Sequence, residues 1–259
     1  RSNARPQSPN SMASPMNFLH AHLHRPIKWL TAVAMLLCLP LSGAGHAAVQ
    51  VQTTRVIYDA RSASAAVALS NKSTLPYMVQ TWLDAGDDST APQNLPMVIT
   101  PPLMQLAPGE QAVVRTIYAG SGLPDDRESL LWINVQEIPP TAEADNVLQV
   151  AIRTRIKLFY RPTDLDKTLD EAARSLQWRI DGQRLEVRNN SPMHITFSHL
   201  QGLATAGIGS EIELDMIAPG QTLSVPLSKL NLNDAQSLRF GYINDYGGIS
   251  DVTDVPLRS

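Results

Sequence analysis

Cysteine is nearly missing from this chain: Cys38 is the only one among 259 residues. It falls in a stretch that reads as a removable leader, so the exported part has no thiol. That part can form no disulfide and must hold its fold by core packing. Histidine is also scarce. Four of the six precede residue 47, and only His194 and His199 remain, too few for a histidine metal cluster. No apolar run is long enough to cross a bilayer. Trp29–Leu41 is 13 residues long, whereas a spanning helix takes roughly 20. No convincing helical period occurs, so there is no helix for a phosphate-cradling glycine loop to precede. Gly120-Ser121-Gly122 lacks the five-residue frame of a nucleophile elbow and reads as a turn. The acidic pairs Asp87-Asp88 and Asp125-Asp126 sit in polar loops and read as solvated turns. His194 and His199 have no motif neighbour and read as surface or strand-end residues. The expectation is therefore a protein that is not an enzyme, with no cofactor, no metal and no small-molecule substrate.

Residues 1–47 have the layout of a secretory signal peptide: Arg25 and Lys28 at the entry, Trp29–Leu41 as the apolar run, and small residues from Ser42 to a cut after Ala47. Met16 is a plausible start, with residues 1–15 an extension. Four of the 21 basic residues lie before the cut and none of the 24 acidic ones. The remainder carries 17 against 24, a net of −7, which disfavours nucleic-acid binding by bulk charge.

From Val49 onward short alternating stretches are separated by turn residues. Those of the first half are 49–58, 65–70, 76–83, 97–106, 111–118, 130–138 and a last, longest one. About seven strands in about 115 residues mark an immunoglobulin-type β-sandwich. Thr163–Ala173 is polar and reads as a linker. Seven further strands follow, at 176–180, 185–189, 195–199, 211–217, 223–227, 238–244 and 251–257. The expected architecture is all-β, with a leader at 1–47, one sandwich at 48–165 and a smaller one at 166–259. Beyond the shared strand-and-turn rhythm no repeat shows at the residue level.

The longest stretch, Asn146–Pro162 (NVLQVAIRTRIKLFYRP), is the most informative. Leu148, Val150, Ile152, Ile156, Leu158 and Tyr160 fall at steps of two, with Gln149, Arg153, Arg155 and Lys157 between them. This predicts one strand far longer than the usual 5–6 residues. An apolar stripe that outruns its own sheet needs cover from another protein. Arg55 and Lys157 each sit inside an apolar strand. Either they are charges on a solvent face, or they meet across a cleft and clamp an anion by charge-assisted hydrogen bonds. Glu128, Arg161 and Asp245 are either unrelated surface charges or an arginine locking two domains between two carboxylates.

Several stretches in order resemble the periplasmic chaperones of the chaperone–usher pilus pathway. They are Thr54–Tyr58, Leu75–Trp82, Thr100–Leu103, Leu106–Glu110, Asp126–Leu130, Asn134–Pro140, Arg155–Pro162 and Asn244–Gly248. RIKLFYRP with EIPP is the most specific pair. The resemblance covers nearly all of 48–259. It implies two immunoglobulin-like domains set in an L, with a subunit-binding cleft. It also implies that Arg55 and Lys157 anchor a subunit's C-terminal carboxylate, and that Leu148, Val150 and Ile152 are the alternating donor residues. Glu128, Arg161 and Asp245 would form an interdomain ion network. The short loop from Pro139 to Asn146 resembles the branch that usually serves rod-like pili. Some members carry a disulfide in the second domain, and the mature chain here has none.

The implied function is a periplasmic chaperone that caps pilus subunits by donating a strand and hands them to an outer-membrane usher. Without a client, a second copy of the chain could cover the stripe. The alternative is a secreted immunoglobulin-like adhesin or structural subunit of a surface fibre. Such a subunit would more often show paired cysteines and an extra N-terminal donor segment.

Overall fold

Alternating apolar residues with turn residues between them leave the chain little choice but largely antiparallel sheets packed face to face. The structure is a computed structural model that describes residues 47–86, 94–142, 147–165, 167–204, 207–208, 212–229 and 235–257. Leader residues 1–46 and the Asp87-Asp88 pair lie outside the described residues.

The first sandwich is built from β1 (Val49–Val51), β2 (Arg55–Asp59), β3 (Ala65–Asn71), β4 (Tyr77–Asp84), β5 (Met97–Thr100), β6 (Leu103–Leu106), β7 (Gln111–Tyr118), β8 (Ser129–Ile138) and β9 (Arg153–Arg161). One sheet has the order β1-β3-β7-β5 and the other β2-β9-β8-β4-β6. The segment 49–58, expected as one strand, is two. β1 pairs antiparallel with β3, and after Gln52–Thr54 the chain changes sheets so that β2 runs parallel to β9. Val67, Leu69, Val79, Ile133 and Leu158 fill the space between the sheets.

The second sandwich follows a short helix, α1 (Leu169–Arg174), and contains β10 (Gln177–Asp181), β11 (Arg184–Arg188), β12 (Phe197–Ala204), β13 (Gly207–Ile208), β14 (Thr222–Pro226), β15 (Ala235–Ile243) and β16 (Ile249–Pro256). Its sheets are β10-β11-β14 and β13-β12-β15-β16. Trp178, Phe197 and Phe240 meet at its centre with ring centroids 5.3–6.0 Å apart.

The structure corrects three further sequence expectations. The segment 163–173 is not only a linker: α1 begins within it. Thr168 and Glu171 form a reciprocal capping box, and Leu169, Ala172 and Ala173 are buried in the second core. One and a half turns are too short to show a helical period. No strand forms over 212–217. That segment makes single bridges at Ile212↔Leu200 and Ile217↔Ile195. Finally, the long strand begins at Arg153, not Asn146. Gln136 pairs with Arg153 and the Glu137 N–H still donates to the Ile152 carbonyl at 3.0 Å. Beyond that, β8 runs into Pro139-Pro140, which have no N–H to extend the ladder.

The two domains also share a corner at the residue level. Asn71 is fully buried and its Nδ2 donates to the carbonyls of Leu75, Leu106 and Ala107 at 2.8–3.2 Å. Its Oδ1 accepts from the Ser73 N–H and hydroxyl. Asn189, equally buried, donates to Met193, Ile217 and Ala218 at 2.7–3.4 Å and accepts twice from Ser191. The facing turns read Leu106-Ala107-Pro108-Gly109-Glu110 and Ile217-Ala218-Pro219-Gly220-Gln221. In each the glycine N–H bonds back to the asparagine carbonyl. Gly109 and Gly220 both have φ +74°, a left-handed conformation that admits glycine at little cost.

Candidate functional site

Along β9, residues of one parity point into the sandwich and those of the other point away from it. Ile156, Leu158 and Tyr160 are buried in the first core. Arg155, Lys157, Phe159 and Arg161 lie on the opposite face. Pairing then lines up a row across four strands: Arg55 opposite Lys157, Lys157 opposite Trp132, and Trp132 opposite Asp84. The structure thus brings Arg55 and Lys157 side by side.

Arg55 is only 8% exposed. Its Nη1 donates to the Ile243 carbonyl of the second domain at 2.9 Å. Its guanidinium carbon lies 5.8 Å from the Phe159 ring centroid. The buried Nε has no partner among the described residues. Lys157 Nζ lies 5.7 Å from the Trp132 ring centroid. Neither cation forms an ion pair among the described residues. Burial pushes the Arg55 pKa down, against the fields of Asp245 and Glu128. Burial, and then the charge of Arg55, push Lys157 below 10.5, with Asp215 opposing. Two neighbouring, partly desolvated cations with no acid bonded to either among the described residues are chemically suited to hold an anion.

The next basic residue on the same strand is closed off instead. Arg155 Nη2 meets Asp84 Oδ1 at 2.5 Å, and its guanidinium lies 4.3 Å from the centroid of Trp132. Asn134 Nδ2 donates to the same carboxylate at 2.6 Å. Burial raises the Asp84 pKa, but hydrogen bonds from Arg155, Asn134 and the Gly86 N–H together outweigh it and hold the carboxyl below its ordinary value.

Arg161 lies between two carboxylates. Its Nε and Nη2 donate to Glu128 Oε1 at 3.2 and 3.0 Å, and its Nη1 and Nη2 to the two oxygens of Asp245 at 2.8 and 2.9 Å. Asp245 sits in the β15–β16 turn, so the arginine ties the two domains together. Burial opposes the Arg161 charge, and the two acids raise its pKa despite it. The same turn packs on the start of β2. A Cβ at Gly247 would lie 2.6 Å from Thr54 Oγ1 and would have to displace that hydroxyl.

The sequence reading of His194 as a surface or strand-end residue is overturned: its side chain is only 8% exposed. Its backbone N–H and ring Nδ1 both reach Glu128 Oε2, at 2.8 and 3.1 Å. Its ring centroid lies 5.7 Å from that of Phe159. The signal was present in the corner Asn189-Asn190-Ser191-Pro192, which throws the next residues inward. Leu148, Val150 and Ile152 precede the ladder and are 87%, 61% and 37% exposed. The stripe therefore continues past its sheet, although outside any paired strand.

The family model for the N-terminal domain of the PapD pili and flagellar-assembly chaperones matches residues 48–166, and that for the PapD C-terminal domain matches 171–254. The chain belongs to the PapD-like pilus-assembly chaperones. Within this chaperone family it is 37% identical over 235 residues to the probable fimbrial chaperone YadV of Escherichia coli, covering 85% of this chain and 95% of YadV. The crystal structure of the YadV chaperone superposes with a TM-score of 0.68 at 36% identity, over 80% of this chain and all of the other. The SafB chaperone of Salmonella enterica, solved in complex with the SafA pilin, aligns with a TM-score of 0.69 at 26% identity over 82% of this chain and 97% of the other. Two immunoglobulin-like domains and a fimbrial-chaperone function are common to these relatives, and the reading as a fibre subunit is not favoured.

Proposed function

We propose that this chaperone holds an incomplete pilus subunit by lending it the segment 147–152 as a strand, while Arg55 and Lys157 bind the carboxylate at the subunit's C-terminus. The observation that carries the reading is the pair of partly buried cations, Arg55 on β2 and Lys157 midway along β9, with no acid bonded to either among the described residues, on the same stretch of chain as the exposed apolar stripe that precedes β9. A subunit's last ordered strand laid along β9 would put its terminal carboxylate at the cations and its groove against Leu148, Val150 and Ile152. The clamp then sets register, because a slip of one residue turns every apolar side chain out of the groove. Each aliphatic chain fully buried there contributes roughly 1.5–3 kcal/mol.

In this reading residues 48–165 hold the client and 166–259 complete the cleft through the Glu128–Arg161–Asp245 network. Residues 1–47 direct export to the periplasm and are cut after Ala47. The client passes to an outer-membrane usher, where another subunit's extension replaces the lent segment. In the free state a second copy can cover the stripe. Two relatives support this assignment: SafB, which forms a complex with the SafA pilin, and SfaE, a periplasmic chaperone 29% identical to this chain.

Periplasmic co-expression with a pilus subunit tests it. The wild-type chain recovers the subunit one to one, and a Leu148→Asp, Val150→Asp double substitution recovers none while still folding. Equal recovery by the double variant would rule out the lent segment.

A further inference from the structure

Phe159 has no role in the anion site as described, yet it links that site to the domain junction. It lies on the outward face of β9, where a phenylalanine would ordinarily meet solvent, but it is only 3% exposed. One neighbour is the His194 ring of the second domain, at 5.7 Å and 48°. Another is the Arg55 guanidinium, 5.8 Å from the ring centroid. His194 is itself held at two points on Glu128, and Glu128 is held by Arg161. A continuous column of contacts therefore runs from the ion network through His194 and Phe159 to Arg55. Apart from this column, the one hydrogen bond fixing the Arg55 side chain among the described residues is the one from Nη1 to the Ile243 carbonyl, also in the second domain. A buried cation with an unsatisfied Nε depends on such support to stay aimed, since burial disfavours its charge.

We propose that Phe159 and His194 are positioning residues for the carboxylate anchor: the second domain, through the His194 ring packed at a tilt against Phe159, holds the Arg55 guanidinium in the orientation that accepts a client's terminal carboxylate. The role rests on the anchor reading given above. The aromatic face helps to orient the cation by the ring quadrupole, and His194 supplies the backing that keeps the ring from retreating. Docking of the second domain thus sets the affinity of a site whose cations both belong to the first.

The probe is a synthetic peptide copying the C-terminal segment of a co-expressed pilus subunit, made once with a free terminal carboxylate and once as the amide. The ratio of the two affinities reads the anchor alone, because a merely structural loss weakens both peptides alike. Wild-type protein prefers the acid, and Arg55→Ala abolishes the preference. Phe159→Leu and His194→Asn lower it by about threefold to thirtyfold, the span of a cation–π contact between exposed and desolvated settings. His194→Phe keeps a ring against Phe159 and keeps the preference, although it loses thermal stability because the ring's bond to Glu128 is gone. If Phe159→Leu and His194→Asn retain the wild-type ratio, the positioning role is overturned and the anchor stands. If Arg55→Ala retains it, the anchor reading itself falls. Should His194→Asn fail to fold, Phe159→Leu decides.

Discussion

The two domains contain the same corner and differ in almost everything next to it. Asn71 and Asn189 each collect three carbonyls, each is braced by a serine two residues on, and each faces an Ala-Pro-Gly turn. Burying an asparagine amide among backbone carbonyls is tolerable only when it is fully bonded, and both corners satisfy that condition. The corner is therefore scaffold. What distinguishes the first domain is what has no counterpart among the described residues of the second: an apolar stripe beyond its sheet, and two neighbouring cations left without acids. The residues proposed to hold the client are the ones that break the match between the domains.

That contrast can be attacked from its strongest side. Arg55→Ala or Lys157→Ala should bring recovery of a co-expressed pilus subunit to background, while urea unfolding changes by about 0.5 kcal/mol for half-buried Lys157 and by no more than about 1.5 kcal/mol for Arg55, which loses its hydrogen bond to the Ile243 carbonyl. A larger loss of stability would mean that the cations belong to the scaffold after all. Arg161→Ala should do the reverse. Removing it strands Glu128 in a buried position, with Asp245 less so, and should cost about 3 kcal/mol in unfolding, the lower end for a broken buried pair. Unchanged unfolding would place that network outside the domain junction's energetics.

The corners themselves should respond alike. Asn71→Ala and Asn189→Ala each leave several carbonyls short of a donor and should each cost about 2 kcal/mol, read by denaturant unfolding. A difference much larger than the error between them would show that the geometric match conceals different roles. The smallest effect concerns pH. Lys157 in the folded protein gives up its proton below 10.5 because of burial and Arg55. Carboxylate binding favours the charged form, so affinity for a free-acid peptide should decline once pH passes the depressed value, by at most about tenfold per pH unit. Stability without client has the opposite sign. Between the depressed value and 10.5 the unfolded chain binds more protons than the folded one, so stability rises with pH across that window. Lys157→Arg should move the affinity decline to higher pH, and an unmoved decline would assign it to another group.

Much of this was legible in the residues. The alternation of Ile156, Leu158 and Tyr160 put the right face inward, and Pro139-Pro140 already contained the reason for β8's end. The strand's false start at Asn146 came from treating period as pairing. Alternation reports which way side chains point, whereas a ladder also needs a neighbour with free N–H groups. The short α1 escaped because six residues carry less than two helical periods, although its Thr168–Glu171 box was in plain view. Arg55 looked equally like a solvent-face charge, since burial on the outward side of a sheet depends on what the second domain places there.

The sequence alone determined the class of fold, the leader's pattern, the stripe at Leu148, Val150 and Ile152, and the absence of any disulfide support, because period, turn chemistry and composition are local properties. Only the tertiary structure decided that Arg55 is buried beside Lys157, that Arg161 joins Glu128 to Asp245, and that His194 closes against Phe159. Those contacts join residues 33 to 102 positions apart, and no local rule specifies which distant side chains two packed domains will bring together.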